Sequence, residues 1–290
     1  MAHSDLPSGI TARPLNDSDL ASALSLSREA GWNQVSADWC LFLEHGAVIG
    51  LLRGNRVIST AATLPYGKSF AWISMVLVTT AERRQGLARW LIEHCIKELS
   101  ARQLVPVLDA TPAGRAVYVG LGFRDHWTMR RFTSASPRMP AQQPMSQAVL
   151  RPIKPADWPR IIAYDEKVFG ADRSFLLPRL AARLPNAALI AEQNGAVAGY
   201  MFGRDGRVMT QLGPVVAENE LIAIDLLDRA LRASSPRFVV DVPDRDAGLI
   251  DWLTTIGFAA ERPLTRMAYQ TDAAFDDGAR MFAIAGPELG

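Results

Sequence analysis

The chain has 290 residues, of which 49% are hydrophobic and 21% charged, and its formal net charge at pH 7 is +1. This composition is ordinary for a globular protein of about two domains, and the near-neutral charge argues against a general nucleic-acid binder. The longest apolar stretch, residues 71–78, is too short to cross a membrane, and the first ten residues lack a secretory signal, so we expect a cytoplasmic protein that binds neither nucleic acid nor membrane.

The first half of the chain begins with a short strand and a helix, and three apolar strands follow with tight turns between them. Gly54-Asn55 and Tyr66-Gly67 mark the turns. The predicted ranges are residues 10–14, 18–30, 47–53, 57–64 and 70–78.

Residues 75–99 join the last of these strands to an amphipathic helix through a loop that contains glycine. The start of a helix exposes unpaired N–H groups and the positive end of its dipole, which favours a bound anion. Gly86 and Ala88 leave room for a phosphate to approach. Arg83 and Arg84 stand where a cation is unfavourable by about 0.3–1 kcal/mol, and a bound diphosphate would reverse that effect. The alternative is that both arginines are simply solvated.

This loop resembles that of the GCN5-related N-acetyltransferase (GNAT) superfamily, Arg/Gln-x-x-Gly-x-Gly/Ala, present here as Arg83, Gly86 and Ala88. The resemblance implies that acetyl-CoA is the co-substrate and that no metal is used. It also implies that the preceding strand lends backbone groups to the pantetheine arm. The cofactor-binding residues predicted in this way are Val76, Leu77, Val78, Arg83, Arg84, Gln85, Gly86, Leu87, Ala88 and Arg89.

The resemblance continues through a fifth strand, residues 104–109, to Tyr118 and the Gly122-Phe123 pair that follows it. By this resemblance Tyr118 is the general acid that protonates the departing CoA thiolate. A phenol, with an ordinary pKa of about 10, has the right basicity for this role. The alternative is that the ring only packs in the core.

The general base is less clear, because many relatives carry a glutamate near the end of the fourth strand where this chain has Ser74 and Met75. Asp109 is the predicted catalytic base. Another group or a chain of water molecules remains an alternative, and Asp109 may instead cap the next helix.

Residues 136–147 are rich in Pro, Ser and Gln and are predicted to be a linker. The halves on either side share Arg-Pro near their start and Gly-Phe near their end, at nearly the same separation, which suggests a duplicated unit. We therefore predict a tandem α/β fold with two mixed sheets flanked by helices. The predicted domains are a catalytic domain over 1–135, the linker, a degenerate domain over 148–271 and a tail over 272–290.

The second half lacks the phosphate-binding features, since residues 213–221 contain no arginine and include Glu218 and Glu220. Leu253 stands at the position of Tyr118. We expect one cofactor site, with the second half completing the acceptor pocket. Asp172, Asp241 and Asp244 are predicted to attract a cationic amine, the alternative being that they serve as caps and turns.

The sequence thus predicts an acetyl-CoA-dependent N-acetyltransferase that acts on a primary amine, by direct attack, in a small-molecule acceptor. One alternative is a non-catalytic sensor that only binds acyl-CoA. Another is an acyltransferase for a longer acyl chain. The identity of the amine and the oligomeric state stay open.

Overall fold

The computed structural model describes residues 6–141, 145–234 and 237–290. Within these ranges no helix is long and apolar enough to cross a bilayer. The strands are β1 (Ile10–Pro14), β2 (Ala47–Arg53), β3 (Arg56–Tyr66), β4 (Phe70–Val78), β5 (Val105–Ala110), β6 (Phe123–Ser134), β7 (Val149–Pro152), β8 (Leu189–Gln193), β9 (Ala196–Arg204), β10 (Thr210–Ala217), β11 (Phe238–Pro243), β12 (Ala259–Tyr269) and β13 (Met281–Ala283). The helices are α1 (Leu20–Glu29), α2 (Ser36–His45), α3 (Leu87–Ala101), α4 (Pro112–Val119), α5 (Trp158–Phe169), α6 (Leu177–Arg183), α7 (Glu220–Ala233) and α8 (Ala247–Thr255).

Both halves follow the same order of elements. A first strand leads through helices to three antiparallel strands, then to a long helix, a fifth strand, a short helix and a last strand. Helix α3 connects β4 to β5, and helix α7 connects β10 to β11. In each case the two connected strands pair with each other in parallel, whereas the strands before them pair antiparallel. This mixed pairing confirms the predicted tandem α/β fold. The predicted domain boundaries stay a prediction, and residues 142–144 of the predicted linker lie outside the described residues.

The strands form one continuous sheet, in the order β1-β2-β3-β4-β5-β12-β6-β11-β10-β9-β8-β7, with β13 paired to β10. Two separate sheets are predicted from the sequence, and this part of the prediction is wrong. The reason is that the two repeated units exchange β6 and β12, the strands with which the units end. β6 pairs with β11 and β12, both from the second half, while β12 pairs with β5 and β6, both from the first half. Each half therefore completes the sheet of the other.

The largest core cluster also draws on both halves. The ring of Tyr66 lies 4.8 Å from that of Phe169, centroid to centroid, and 6.2 Å from that of Trp72. The tail is docked against these rings, because Tyr66 Oη donates to Leu289 O at 2.6 Å and Trp72 Nε1 donates to Pro287 O at 3.1 Å. These contacts bring the tail to the centre of the sheet, beside β4.

Candidate functional site

The central feature of the site is a split between β4 and β5. The two strands pair only over the first residues of each, Phe70–Trp72 with Val105–Val107. Beyond that point β4 stays paired with β3 as far as Val78, whereas β5 turns to β12. One edge of β4 is therefore left without a strand partner, and its backbone groups face an open groove.

A bulge in β4 marks the start of the split. Met75 adopts a φ of +52°, a left-handed conformation that is unusual for a bulky side chain. Here two residues of β4, Met75 and Val76, face one residue of β3. Such a bulge bends and twists the strand and re-aims the groups beside it.

The backbone beyond the bulge alternates between β3 and the groove. Thr79 N donates to Ile58 O of β3 at 2.9 Å, while Val78 O accepts a bond from Arg83 Nε at 3.3 Å on the open side. Because direction alternates along a strand, the backbone groups of Val76 and Val78 point into the groove. The structure thus brings the predicted pantetheine-binding residues to an unpaired strand edge.

At the outer end of the groove, α3 begins with its first-turn N–H groups available. Gly86 precedes the helix with a φ of +79°, and among the described residues no side chain caps this start. A Cβ added at Gly86 would find no atom within 4 Å, so the space above it is open. These are the conditions under which a helix start binds an anion.

The charges of the loop are partly neutralised. Glu82 accepts bonds from Arg53 at 2.7 and 2.9 Å and from Gln85 at 2.9 Å, and Arg89 pairs with Glu93 at 2.8 Å. Among the described residues no ion pair engages the remaining loop arginines.

Arg83 has a nearby acid and Arg84 does not. Hydrogen bonds from Thr80 and Thr79 lower the pKa of Glu29, and Arg83 adds a smaller electrostatic contribution. Arg84 is exposed with a φ of +63°. It is therefore the clearest uncompensated cation at the helix start.

The inner end of the groove opens into a cavity of about 390 Å³. Its walls come from β4 and β5, from β6 and β12, from the turn between α1 and α2, and from the tail. The polar residues that line it are Asn33, Gln34, Ser74, Asp109, Thr111, Tyr118, Arg131, Thr133, Glu261, Arg262 and Glu288.

Tyr118 lies on α4, whose start is capped by Thr111 Oγ1, which accepts from Gly114 N at 3.2 Å. The ring packs 5.9 Å from that of Phe123 and is half-buried. Burial raises the pKa of Tyr118 to about 12. The phenol therefore holds its proton at neutral pH beside the cavity, as a general acid requires.

Asp109 is fully buried and held by Arg266. Arg266 Nε and Nη2 donate to its two carboxylate oxygens at 3.0 Å each. Burial raises the pKa of Asp109, and Arg266 opposes this shift. The guanidinium lies between the rings of Trp72 and Trp127, at 4.5 and 4.2 Å. Both oxygens that would take a proton are thus engaged, and the role of Asp109 as base stays a prediction.

The three predicted amine-binding aspartates do not line the cavity. Asp172 is exposed and accepts from Ser174 N at 2.7 Å, which is a local turn. Asp244 pairs with Arg130 at 3.2 Å. Asp241 is buried and reaches the cavity only through Arg131, which it binds at 2.8 Å through both oxygens. The positions of Asp172 and Asp244 favour the alternative interpretation, in which these two residues have a structural role.

Other charged residues reach the cavity without any local sequence signal. Arg131 and Arg262 lie on the exchanged strands β6 and β12, and Glu288 lies in the tail. Glu288 is buried, bonds to Arg204, and accepts from Gln34 Nε2 at 2.7 Å. These residues are far apart in the sequence, so only the exchange of strands and the docking of the tail bring them together.

The second half offers no equivalent anion site among its described residues. At the start of α7, Asn219 Oδ1 accepts from Ile222 N at 3.1 Å, so the helix caps itself. Glu220 places an acid in the first turn, and it accepts from Leu249 N at 2.8 Å. A capped and acidic helix start repels a phosphate.

Comparisons with known proteins match both halves of the chain to one family. Residues 17–123 match the family model described as acetyltransferase (GNAT) family, and residues 161–283 match the one described as acetyltransferase (GNAT) domain. An uncharacterized N-acetyltransferase of Bacillus subtilis, YitH, is 24% identical over 281 residues, which cover 95% of this chain and 97% of that protein.

Solved structures share the fold over the whole chain. A protein from Pyrococcus horikoshii superposes with a TM-score of 0.79 at 19% identity, covering 100% of this chain and 99% of that one. A tandem GNAT protein from the clavulanic acid biosynthesis pathway superposes with a TM-score of 0.62 at 13% identity, covering 91% and 100%.

Proposed function

Because this chain belongs to the GNAT superfamily, with two such domains in tandem, we propose that it transfers an acetyl group from acetyl-CoA to a primary amine of a small-molecule acceptor. One observation carries the proposal. The unpaired edge of β4 runs from a cavity lined by Tyr118, whose raised pKa keeps the phenol protonated, towards an uncapped helix start flanked by arginines.

The residues of the groove fit the chemistry of acetyl-CoA from one end to the other. The diphosphate would take the N–H groups at the start of α3, with Arg84 as counter-charge and with the open space above Gly86. The amide-bearing pantetheine arm would pair with the unpaired backbone of Val76 and Val78, as an added strand does. This places the thioester beside the cavity.

The cavity residues supply what amine acetylation needs. The acceptor must be held as a neutral amine against the thioester carbonyl. Holding the two reacting groups together in this way supplies the main rate advantage. A backbone N–H of β4 would polarise that carbonyl as charge develops on its oxygen. Tyr118 donates its proton to the thiolate as the carbon–sulfur bond breaks, and the proton that the nitrogen loses on forming the amide restores the phenol.

The size of the cavity favours a small acceptor. Both halves and the tail contribute walls to a volume of about 390 Å³. A volume of this size, lined by a few polar groups from separate elements, is typical of a small-molecule site.

Calorimetric titration with CoA and acetyl-CoA tests the cofactor site. We expect Arg84→Gln to weaken CoA binding roughly tenfold, because a charge-assisted hydrogen bond is worth about 1.5–3 kcal/mol. Arg102→Gln is the matched control, since Arg102 is an exposed arginine at the opposite end of the same helix. Absence of CoA binding, or an equal loss in both variants, would contradict the proposed site.

A panel of small amines, assayed with acetyl-CoA for release of free thiol, tests the reaction itself. Release that depends on an amine supports acetyl transfer. Tight binding of CoA without amine-dependent release by any of them would instead support the non-catalytic sensor. Longer acyl-CoA donors in the same assay decide which acyl chain the groove accepts.

A further inference from the structure

The cavity has an unusual charged wall where the exchanged strands meet. β12 carries a bulge at this point, so that Glu261 and Arg262 together face the single residue Arg131 of β6. A bulge re-aims the side chains it carries, and bulges are common beside active sites. Both arginines line the cavity.

The two arginines differ in how their positive charges are balanced by neighbouring groups. Arg131 is bound through two nitrogens by the buried Asp241, at 2.8 Å each. Among the described residues no ion pair engages Arg262, and its buried Nε has no hydrogen-bond partner. Burial, and then the charge of Arg131, lower the pKa of Arg262. An uncompensated guanidinium in a cavity is stabilised by an anion, most effectively by one that accepts two hydrogen bonds.

Glu261 does not supply that anion. It is exposed and accepts a hydrogen bond from Thr133 Oγ1 at 2.9 Å. No contact within ion-pair distance joins it to Arg262 in the described part of the chain. Burial lowers the pKa of Arg262, and Asp241, Glu261 and Glu288 oppose this shift only from beyond ion-pair distance. A ligand can therefore still supply a directly paired anion.

The β4 side of the cavity is rich in hydrogen-bond acceptors. Glu288 is buried there, and within the described residues its carboxylate accepts hydrogen bonds only through Oε1. Gln34 Oε1 and Ser74 Oγ are also buried, and neither has a hydrogen-bond partner in the described part of the chain. Buried polar atoms are rarely left unpaired in folded proteins, so these acceptors indicate a ligand group that donates hydrogen bonds, such as a primary amine.

We propose that the acceptor is a primary amine that also carries a carboxylate, an amino acid in the broad sense. Arg262 binds the carboxylate, and Glu288, Gln34 and Ser74 receive the amine beside β4. This inference rests on the proposed function, since the amine end of such a ligand would lie next to the thioester.

The balance of charge favours a carboxylate over a phosphate. Arg131 is matched by Asp241, and Glu288 is matched by Arg204. Among the charged side chains that line the cavity in the described part of the chain, Arg262 and the exposed Glu261 have no ion-pair partner, and one monovalent anion neutralises Arg262. A dianion would leave a negative charge in a partly buried site, and this is costly.

Paired acceptors test this directly. Straight-chain α-, β- and γ-amino acids are assayed with acetyl-CoA, each beside its own carboxamide, so that a pair differs only in the anionic group. A carboxamide has the less basic amine, so chemical reactivity alone favours it. We expect kcat/KM to favour the acid nevertheless, by roughly 10–100-fold for the best pair, as the loss of a charged hydrogen bond would give.

Two variants separate the ends of the site. Arg262→Met should raise KM for the acid and leave the carboxamide unchanged. Glu288→Gln should raise KM for both, since they share the amine. Arg130→Met is the control, because Arg130 is the exposed neighbour of Arg131 on β6 and does not line the cavity. Unchanged affinity for CoA shows that each variant is folded.

Reversal of the charge gives a result that misfolding cannot imitate. Arg262→Glu should shift the preference from the amino acid to a diamine of similar length. If thiol is released but carboxamides react as well as acids in the natural protein, or if Arg262→Met lowers both equally, the acceptor assignment is wrong while acetyl transfer stands. If no amine releases thiol and CoA does not bind, the proposed function itself fails.

Discussion

The phenol of Tyr118 illustrates how a single residue's surroundings set its role. It lies half-buried at the cavity wall, and burial raises its pKa to about 12. We expect Tyr118→Phe to lower kcat by about 10²–10⁴-fold, the usual contribution of a general acid, while the Kd for CoA stays unchanged. Steady-state kinetics and calorimetry on the same preparation check this.

Tyr269→Phe is the matched control, because this ring also packs against Phe123, at 5.5 Å, yet does not line the cavity. The pH profile adds a second check. Since the raised pKa keeps Tyr118 protonated far above neutral pH, no loss of kcat between pH 7 and 9 should come from its ionisation. A drop in that range that disappears in Tyr118→Phe would contradict the raised pKa.

The burial of Asp246 leads to a prediction of how the stability of the folded protein depends on pH. It is buried at the start of α8, and Oδ2 has no hydrogen-bond partner within the described residues. Burial raises its pKa from 3.8 to about 7, although Arg245, 3.9 Å from Oδ1, opposes this shift. The folded state thus keeps a proton that the unfolded state loses above about pH 4. Stability from this residue is present below that pH and declines as the pH rises towards 7.

Asp246→Asn should remove this dependence. We expect the variant to have a higher melting temperature than the natural protein at pH 8 and a similar one at pH 4, measured by circular dichroism. Asp251→Asn, an exposed position on the same helix, should show neither difference. A variant that is less stable at pH 8 would mean that the carboxylate is ionised and useful in the fold.

At the scale of elements, one ion pair ties the exchanged strand β12 to β5. Asp109 and Arg266 lie directly opposite each other in the register and are fully buried. Asp109→Asn leaves the buried Arg266 with Asp276, at 3.2 Å, as its remaining ion-pair partner, and we expect the free energy of unfolding to fall by up to about 3 kcal/mol. Chemical denaturation measures this loss.

The triple variant Asp109→Leu/Arg266→Met/Asp276→Asn should recover part of the loss, since Asp276 is the second carboxylate paired with Arg266 and no charge of the cluster is then left unpaired. Activity per folded molecule then decides the catalytic assignment. If Asp109 is only structural, the folded fraction of Asp109→Asn keeps its kcat. A fall in kcat without loss of stability would restore Asp109 as the general base.

The elements also show how far the sequence alone can reach. The loop at Arg83–Gly86, the strand before it and the helix after it are adjacent in the chain, and their pattern predicts the helix start correctly. The partner of β12 could not be predicted in this way. A period-2 pattern specifies that a strand forms and which face is buried, but it does not specify which strand lies beside it.

The acceptor side was harder still for the same reason. Asp172, Asp241 and Asp244 have the charge that attracts an amine, but local turns and arginines take up that charge. Arg262 lies in β12 and Glu288 in the predicted tail, where nothing in the local sequence distinguishes them. Their role depends on contacts between segments more than a hundred residues apart.

At the scale of the whole molecule, we expect the proposed site to need both halves. The groove proposed for the cofactor lies in the first half, but β12 and the tail from the second half line the cavity. The second half therefore contributes walls to the cavity although it lacks the loop and the tyrosine. Under the proposed function, a half without the family's loop would still be required for the reaction.

A split of the chain within the predicted linker, into residues 1–141 and 142–290, tests this dependence. The strands that pair with β6, which are β11 and β12, both belong to the second fragment. In the first fragment, β5 would be left with only the three residues that pair with β4. Unpaired strand edges of this kind promote aggregation. We expect each fragment expressed alone to be insoluble or unfolded, and the two expressed together to co-purify and bind CoA.

The register of the exchange supplies the physical reason for that reassembly. β12 pairs with β6 from Ala259 to Tyr269, and β6 pairs with β11 from Met129 to Ser134, so the two fragments share backbone hydrogen bonds as well as a core. Size-exclusion chromatography of the co-expressed pair should give one complex of the mass of the intact chain. A first fragment that alone unfolds cooperatively and binds CoA would show that β6 can fold back into its own sheet, and would overturn the requirement for exchange.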